Sequence, residues 1–368
     1  MITEDSVLIS DPLHIYYLTG FRAALKHESE IGTRQNPMFL GISKNGSMFL
    51  LAARSSLSNP IATEDAVFDA RGLFEGRLWI YGDYEIDERV SATMDFVAEE
   101  LSEVTGEMKS KEGFDVGRVG IEEWHVPYEV TSRLSKEFPA ISFGGISNKI
   151  IEMRMGKDES ERGAVAAAAQ RLRIVFEQSV SLLVPGETEL DAMARMKGAM
   201  RERFGDDALL SGQVLSGNRT SHVFGNPSSK KLVRGEPAIL DLVTEADGYY
   251  AREAITIRIG SDQVQGSQTS DKLSQALEEG QKLLRPGAAA GDVFNAVSKS
   301  VDVGSDMAHE AGHGLGLEPR EGPFLIPYST LKIVPGMTCV LMAGSYSGSE
   351  GYRLSRCYSV GMSGAVRL

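Results

Sequence analysis

Apolar and polar positions alternate in short runs along the first 150 residues. Residues 7–10, 38–42, 47–52, 79–81 and 117–120 read as strands. Lys44-Asn45-Gly46, between the second and third of these runs, supplies the turn of a hairpin. Residues 87–104 and 128–137 carry the longer period of helices, and the mixture predicts an α/β layer. A longer helix is predicted over 160–181, with Lys157-Asp158-Glu159 placing acidic groups at its start and Val184-Pro185-Gly186 after its end. A further helix is predicted over 190–204. The stretch SLLVPGETELDAMARM (181–196) returns as KLLRPGAAAGDVFNAV (282–297), each a helix end, a Pro-Gly turn and a new helix. Residues 238–243, 254–259, 337–343 and 351–360 read as strands. The pattern predicts two domains, 1–150 and 151–368. The second is a duplicated α/β unit with a curved antiparallel sheet, its helices on one face and a cavity on the other.

Composition narrows the function more than the fold. The 368 residues carry a formal net charge of −13 with no basic cluster to offset it, so the chain repels phosphate backbones and nucleic acid is excluded as a partner. Cys339 and Cys357 form no CxxC pair, which removes a thiolate metal site and a disulfide framework. The N-terminus, Met-Ile-Thr-Glu-Asp-Ser, is acidic where a signal peptide is basic, and no apolar run is long enough to span a membrane. A cytoplasmic protein without membrane contact is expected.

Five segments resemble the creatinase, prolidase and methionine aminopeptidase family, peptidase M24, with its pita-bread fold. They are HIYYLTGFRA (14–23), IEMRMGKDESERGAVAAAAQRLRIVFE (151–177), RGEPAILDLVTEADGYY (234–250), GHGLGLEPREGP (312–323) and LKIVPGMTCVLMAGSY (331–346). The resemblance implies a creatinase-like N-terminal domain before a pita-bread domain. The metal-dependent members hold two divalent ions with two Asp, one His and two Glu. Those positions fall here on Asp241, Arg252, His313, Met342 and Ser355, and a further histidine position on Arg320. A guanidinium repels a cation, so the expectation is no metal and no cofactor. Glu253 is adjacent to Arg252 but on the opposite strand face unless a bulge intervenes.

Creatinase is the family member that works without metal, and its histidine corresponds best to His222. The positions that would hold a guanidinium substrate fall on Ala254 and Met342, so an anionic small molecule fits better than creatine. The expectation is therefore a metal-independent hydrolase acting on a C–N bond of a small carboxylated nitrogen compound. His222 would be general acid and base, with His313 and Asp241 catalytic. Arg252, Arg320, His309 and Glu321 would bind substrate. The alternative is a non-catalytic relative kept for ligand binding or as a scaffold, and behind it a metal-dependent Xaa-Pro peptidase. His309-Glu310-Ala311-Gly312-His313 also matches H-E-x-x-H, the zinc-protease pattern, but Gly312 interrupts the helix this requires and Pro319 stands where a third histidine should fall. The family precedent, with Arg22 and His27 after the first motif, implies a homodimer.

Overall fold

The structure of the chain, a computed structural model, describes residues 4–21, 37–53, 67–68, 76–81, 90–205, 208–261, 268–301, 307–347 and 349–368. Arg22 and His27 lie outside them. The chain divides into two units, Met1–Met153 and Arg154–Leu368.

The first unit is built on a mixed seven-stranded sheet. Its strands are β1 (Ser6–Ile9), β2 (Phe39–Ser43), β3 (Met48–Ala53), β4 (Val67–Phe68), β5 (Gly76–Tyr81), β6 (Arg118–Ile121) and β7 (Ser142–Gly145). Their order is β4-β5-β3-β2-β1-β6-β7. Period-two alternation divides the apolar side chains between two cores. Leu8, Phe39, Phe49 and Leu51 face one core, with Leu101 and Met108 of α2 (Val90–Glu112) and Val130 and Leu134 of α3 (Tyr128–Glu137). Val7, Ile9, Leu40 and Leu50 face the other. There they meet Ile15 of α1 (Pro12–Thr19) and Ile150 of α4 (Ser147–Met155). Both faces are covered, which explains near-continuous apolar runs such as MFLLAA in β3.

The first motif, residues 14–23, begins inside the helix α1. The Asp11 side chain accepts from the Leu13 N–H, Pro12 occupies the first turn, and Gly20 closes α1 at φ 72°. Local capping outweighs the β-branched and aromatic residues between.

The second unit opens with α5 (Glu159–Leu182) and α6 (Glu189–Phe204), each started by a reciprocal capping box, Asp158 with Glu161 and Thr188 with Asp191. After β8 (Leu210–Ser216) come β9 (Pro237–Ala246) and β10 (Tyr249–Arg258), joined at Asp247 (φ 50°) and Gly248 (φ 81°). The second half supplies α7 (Gln268–Leu283), α8 (Ala290–Ser300), β11 (Gly312–Gly314), β12 (Glu321–Phe324), β13 (Thr338–Ser347), β14 (Glu350–Gly361) and β15 (Gly364–Arg367). The sheet runs β12-β11-β13-β14-β10-β9-β8, with β15 on β14, and its strand pairings among the described residues are antiparallel. Helix α5 lies on β9 and β10, and α7 on β13 and β14.

The duplication is visible in the backbone. Thr188 bridges Lys231 and Gly186 N–H donates to Leu232, while Ala289 bridges Lys332 and Gly287 N–H donates to Ile333. Each Pro-Gly turn is thus tied to the chain just before its own long hairpin. The two hairpins, β9–β10 and β13–β14, meet where β10 pairs with β14 through Ala254 and Ser355.

One glycine has no substitute. Gly312 has φ 141°, and a Cβ there would lie 1.9 Å from the Val340 carbonyl oxygen. Gly163, in α5, faces open space. Gly312→Ala is expected to destabilise the C-terminal unit by about 2–4 kcal/mol, and Gly163→Ala to stabilise it by about 0.5–1 kcal/mol. Urea unfolding of both variants tests this contrast.

Candidate functional site

Strand register assembles the predicted residues. Asp241 on β9 and Ser355 on β14 both oppose Ala254 on β10, and Met342 on β13 opposes Ser355. His313 on β11 opposes Val340, two residues before Met342. Alternation therefore puts Asp241, Arg252, His313, Met342, Ser355 and Arg353 on one face. The β9–β10 pairing runs without a bulge from Tyr249 to Arg258, so Glu253 stays on the other face. There it lines a cavity of about 280 Å³ with Arg173, Arg356 and Arg367. Burial pushes its carboxyl above the ordinary value, against the pull of Arg356 at 3.9 Å.

Asp241 is buried at 2% exposure and carries two guanidinium groups. Arg252 grips it in a fork, Nε to Oδ1 and Nη2 to Oδ2, both 2.8 Å. Arg353 Nη1 donates to Oδ2 at 2.6 Å. Burial alone would raise the Asp241 carboxyl, but Arg252 and then Arg353 hold it below the usual range. Arg353 is itself 1% exposed and fully used: Nε donates to the Tyr346 hydroxyl at 2.7 Å, and Nη2 donates to the Val223 carbonyl. Arg353 is the residue missed from the sequence. Its signal was available, because it sits two positions before Ser355 on a predicted strand and so shares its face.

The two histidines are held alike. His309 Nδ1 donates to the Glu310 carbonyl at 2.7 Å and His313 Nδ1 to the Gly314 carbonyl at 2.9 Å. Burial lowers each to about 4, against those carbonyl bonds, with nearby arginines adding to the fall. Each ring is therefore neutral at pH 7 and presents Nε2 as a lone pair. His313 Nε2 lies 3.5 Å from Arg252 Nη1. His309 Nε2 is buried and has no hydrogen-bond partner among the described residues. It stands with the Tyr346 hydroxyl over Gly344, where a Cβ would come within 2.6 Å of Nε2 and 2.7 Å of the hydroxyl. The five residues from His309 to His313 do not form the helix that H-E-x-x-H requires, since Gly312–Gly314 is a strand.

The other predicted residues lie elsewhere. Arg320 does not join Arg252 on Asp241: it forms its own fork with Glu310, at 2.9 and 2.6 Å. Glu321 accepts from Arg154 at 2.7 Å and from Lys157. His222 is exposed at the end of the 3-10 turn Gly217–Ser221, next to Val223, whose carbonyl Arg353 holds. Tyr249 donates its hydroxyl to Glu161 at 2.9 Å.

The expectation of a metal-independent hydrolase is corrected by the first unit. Among the described residues one group is spaced to hold a cation: Asp11, His14 and Glu122, whose ligand atoms all lie within 4.8 Å of one another. A carboxylate–imidazole–carboxylate set is ordinary metal chemistry. Sequence reading passed it over because Glu122 is distant in the chain and had no motif to mark it.

The profile of the creatinase/prolidase N-terminal domain matches residues 4–156, and that of metallopeptidase family M24 matches residues 163–362. An uncharacterized peptidase of Staphylococcus saprophyticus is 23% identical over 356 residues, 95% of this chain and 90% of its own length. A probable dipeptidase PepE of Mycobacterium tuberculosis is 29% identical over 220 residues, 58% of each chain. The solved Xaa-Pro dipeptidase of Bacillus anthracis superposes with a TM-score of 0.76 at 20% identity, covering 99% of this chain and 92% of that one. The X-Pro aminopeptidase of Thermotoga maritima does so with 0.75 at 21% identity, covering 100% and 95%. With a creatinase-like α/β domain, a duplicated pita-bread sheet and a matching profile over more than half its length, the chain belongs to metallopeptidase family M24.

Proposed function

We propose that this M24 protein is of the hydrolase class and recognises a small anionic molecule on the Asp241 face. The observation that carries this is His309 Nε2, a buried acceptor left without a partner among the described residues, beside the Tyr346 hydroxyl and over Gly344. A buried polar atom costs stability unless something satisfies it. Tyr346 accepts from Arg353 and keeps its own proton to donate, and burial holds it as a phenol. A ligand seated there meets one acceptor and one donor. It also meets the charge left over when two guanidiniums share one carboxylate, which favours an anion.

The family's two metal ions do not fit this face. The Asp241 oxygens are taken by Arg252 and Arg353, and His313 Nε2 faces Arg252. A cation there would meet two fixed guanidiniums. No Xaa-Pro peptidase chemistry through a dinuclear centre is assigned to the chain. The same reading includes a homodimer, on the family resemblance; light scattering should give about twice the chain mass of 39.9 kDa, and a mass near 40 kDa at micromolar concentration would count against it.

Recognition is tested by calorimetry with acetate, N-acetylated amino acids and dipeptides. At least one is expected to bind, Arg252→Ala to weaken it about tenfold or more, and Gly344→Ala to do the same by displacing His309 and Tyr346, with which its Cβ would clash. Folded variants that bind the same compound with wild-type affinity would overturn the reading, as would a wild-type protein that binds none.

The neutral histidines have a separate signature. Unfolded histidines protonate near pH 6.5, whereas His309 and His313 resist protonation in the folded chain until about 4. Their contribution to stability is full above pH 6.5 and is lost as pH falls toward 4, on the order of 1–3 kcal/mol each. Urea midpoints between pH 7 and 4.5, above the range where carboxylates dominate, should fall, and His309→Gln should flatten the fall.

A further inference from the structure

The junction of β1 with α1 concentrates charge without a cation to match it. Asp11 caps α1 through Oδ1, at 2.8 Å from the Leu13 N–H, and this turns Oδ2 toward His14 Nδ1 at 3.7 Å. Glu122 follows β6 and is completely buried. Its Oε2 accepts from the Ser10 and Asp11 N–H groups at 3.0 and 2.8 Å, which turns Oε1 toward His14 Nδ1. His125, one turn after Glu122, closes the remaining side. Its Nε2 is 3.4 Å from Asp11 Oδ2 and its Nδ1 3.3 Å from Glu122 Oε1.

Two features of this group point to a bound ion. First, its two carboxylates have only imidazoles as charged partners among the described residues; no lysine or arginine reaches either. With neutral imidazoles the group would carry two negative charges, one fully buried and one partly, an arrangement that is costly unless compensated. Second, the spacing suits coordination. Donors bonded at about 2.0–2.1 Å around a tetrahedral zinc ion sit about 3.3 Å apart. Asp11, His14 and Glu122 each offer one ligand atom, and these atoms all lie within 4.8 Å of one another. The carboxylates are already fixed by backbone N–H groups through their other oxygens, which is how outer bonds orient metal ligands.

We propose that Asp11, His14 and Glu122 form a three-ligand site for a zinc-class divalent cation within the N-terminal unit, with His125 bonded to both carboxylates from outside it. The ion neutralises the two carboxylates and fastens the β1–α1 junction to the turn after β6. This is a site of the N-terminal unit's own residues and shares none with the Asp241 face.

The test uses the full chain, stripped with chelator, dialysed and titrated with Zn²⁺. One equivalent per chain is expected, with a rise in the unfolding midpoint of the N-terminal unit. Co²⁺ should give the visible absorption of a four-coordinate nitrogen–oxygen site. Asp11→Asn keeps an N-cap oxygen but removes the charge, and His125→Ala alters only a partly exposed ring, so both should fold. Each should weaken Zn²⁺ binding at least about tenfold, while His313→Ala in the other unit leaves the equivalent in place. Three results would each overturn the proposal: no stoichiometric Zn²⁺ on the folded chain, an equivalent that survives both N-terminal substitutions, or an equivalent lost in His313→Ala.

Discussion

The C-terminal unit depends on one buried carboxylate held by two arginines. Asp241 lies on β9, Arg252 on β10 and Arg353 on β14, so a single charge cluster links the hairpin of the first repeat to that of the second. Burial of any one member alone would cost several kcal/mol. Together they satisfy one another, and Arg353 spends its remaining donors on Tyr346 and on the Val223 carbonyl. The position of the loop carrying His222 is therefore coupled to Asp241 through Arg353. A substitution at Asp241 would leave two guanidiniums buried and unpaired, a larger disturbance than loss of either arginine.

The same cluster sets the chemistry available nearby. Burial, with cationic charge nearby adding to it, disfavours imidazolium, so His309 and His313 are acceptors at neutral pH. Where a divalent ion would use those lone pairs directly, a guanidinium instead offers donors to a ligand.

Much of this was legible in the sequence. Strand and helix periodicity located the long hairpins and the capped helices, because one buried face repeats every second or every third to fourth residue. The repeated Pro-Gly turns disclosed the duplication. Asp241 lay on a predicted strand, but Arg252 and His313 fell outside the predicted strands, and only the observed register puts all three on one face. What was not legible depended on partners far apart in the chain. Arg320 and Glu310 pair across a loop whose path periodicity does not encode. The choice of Arg353 over Arg320 as the second partner of Asp241 rests on cross-strand register. Short elements such as α1 and β11 are set by a single cap or a single glycine, against the local propensity.

The two carboxylate centres differ in what balances them, and that difference decides what each can hold. An arginine cannot release its proton at any physiological pH, so a carboxylate paired with arginine is closed to cations. An imidazole can, and once neutral it changes from a competitor of the metal into a ligand. Asp241 has two arginines; Asp11 and Glu122 have two histidines. Within a chain of one family, the residue type opposite each buried carboxylate thus separates an anion-favouring face from a cation-favouring one, whatever the ancestral ligands were. The criterion uses only side-chain identity, burial and distance, and among the described residues it singles out Asp11, His14 and Glu122 as the group spaced to hold a cation.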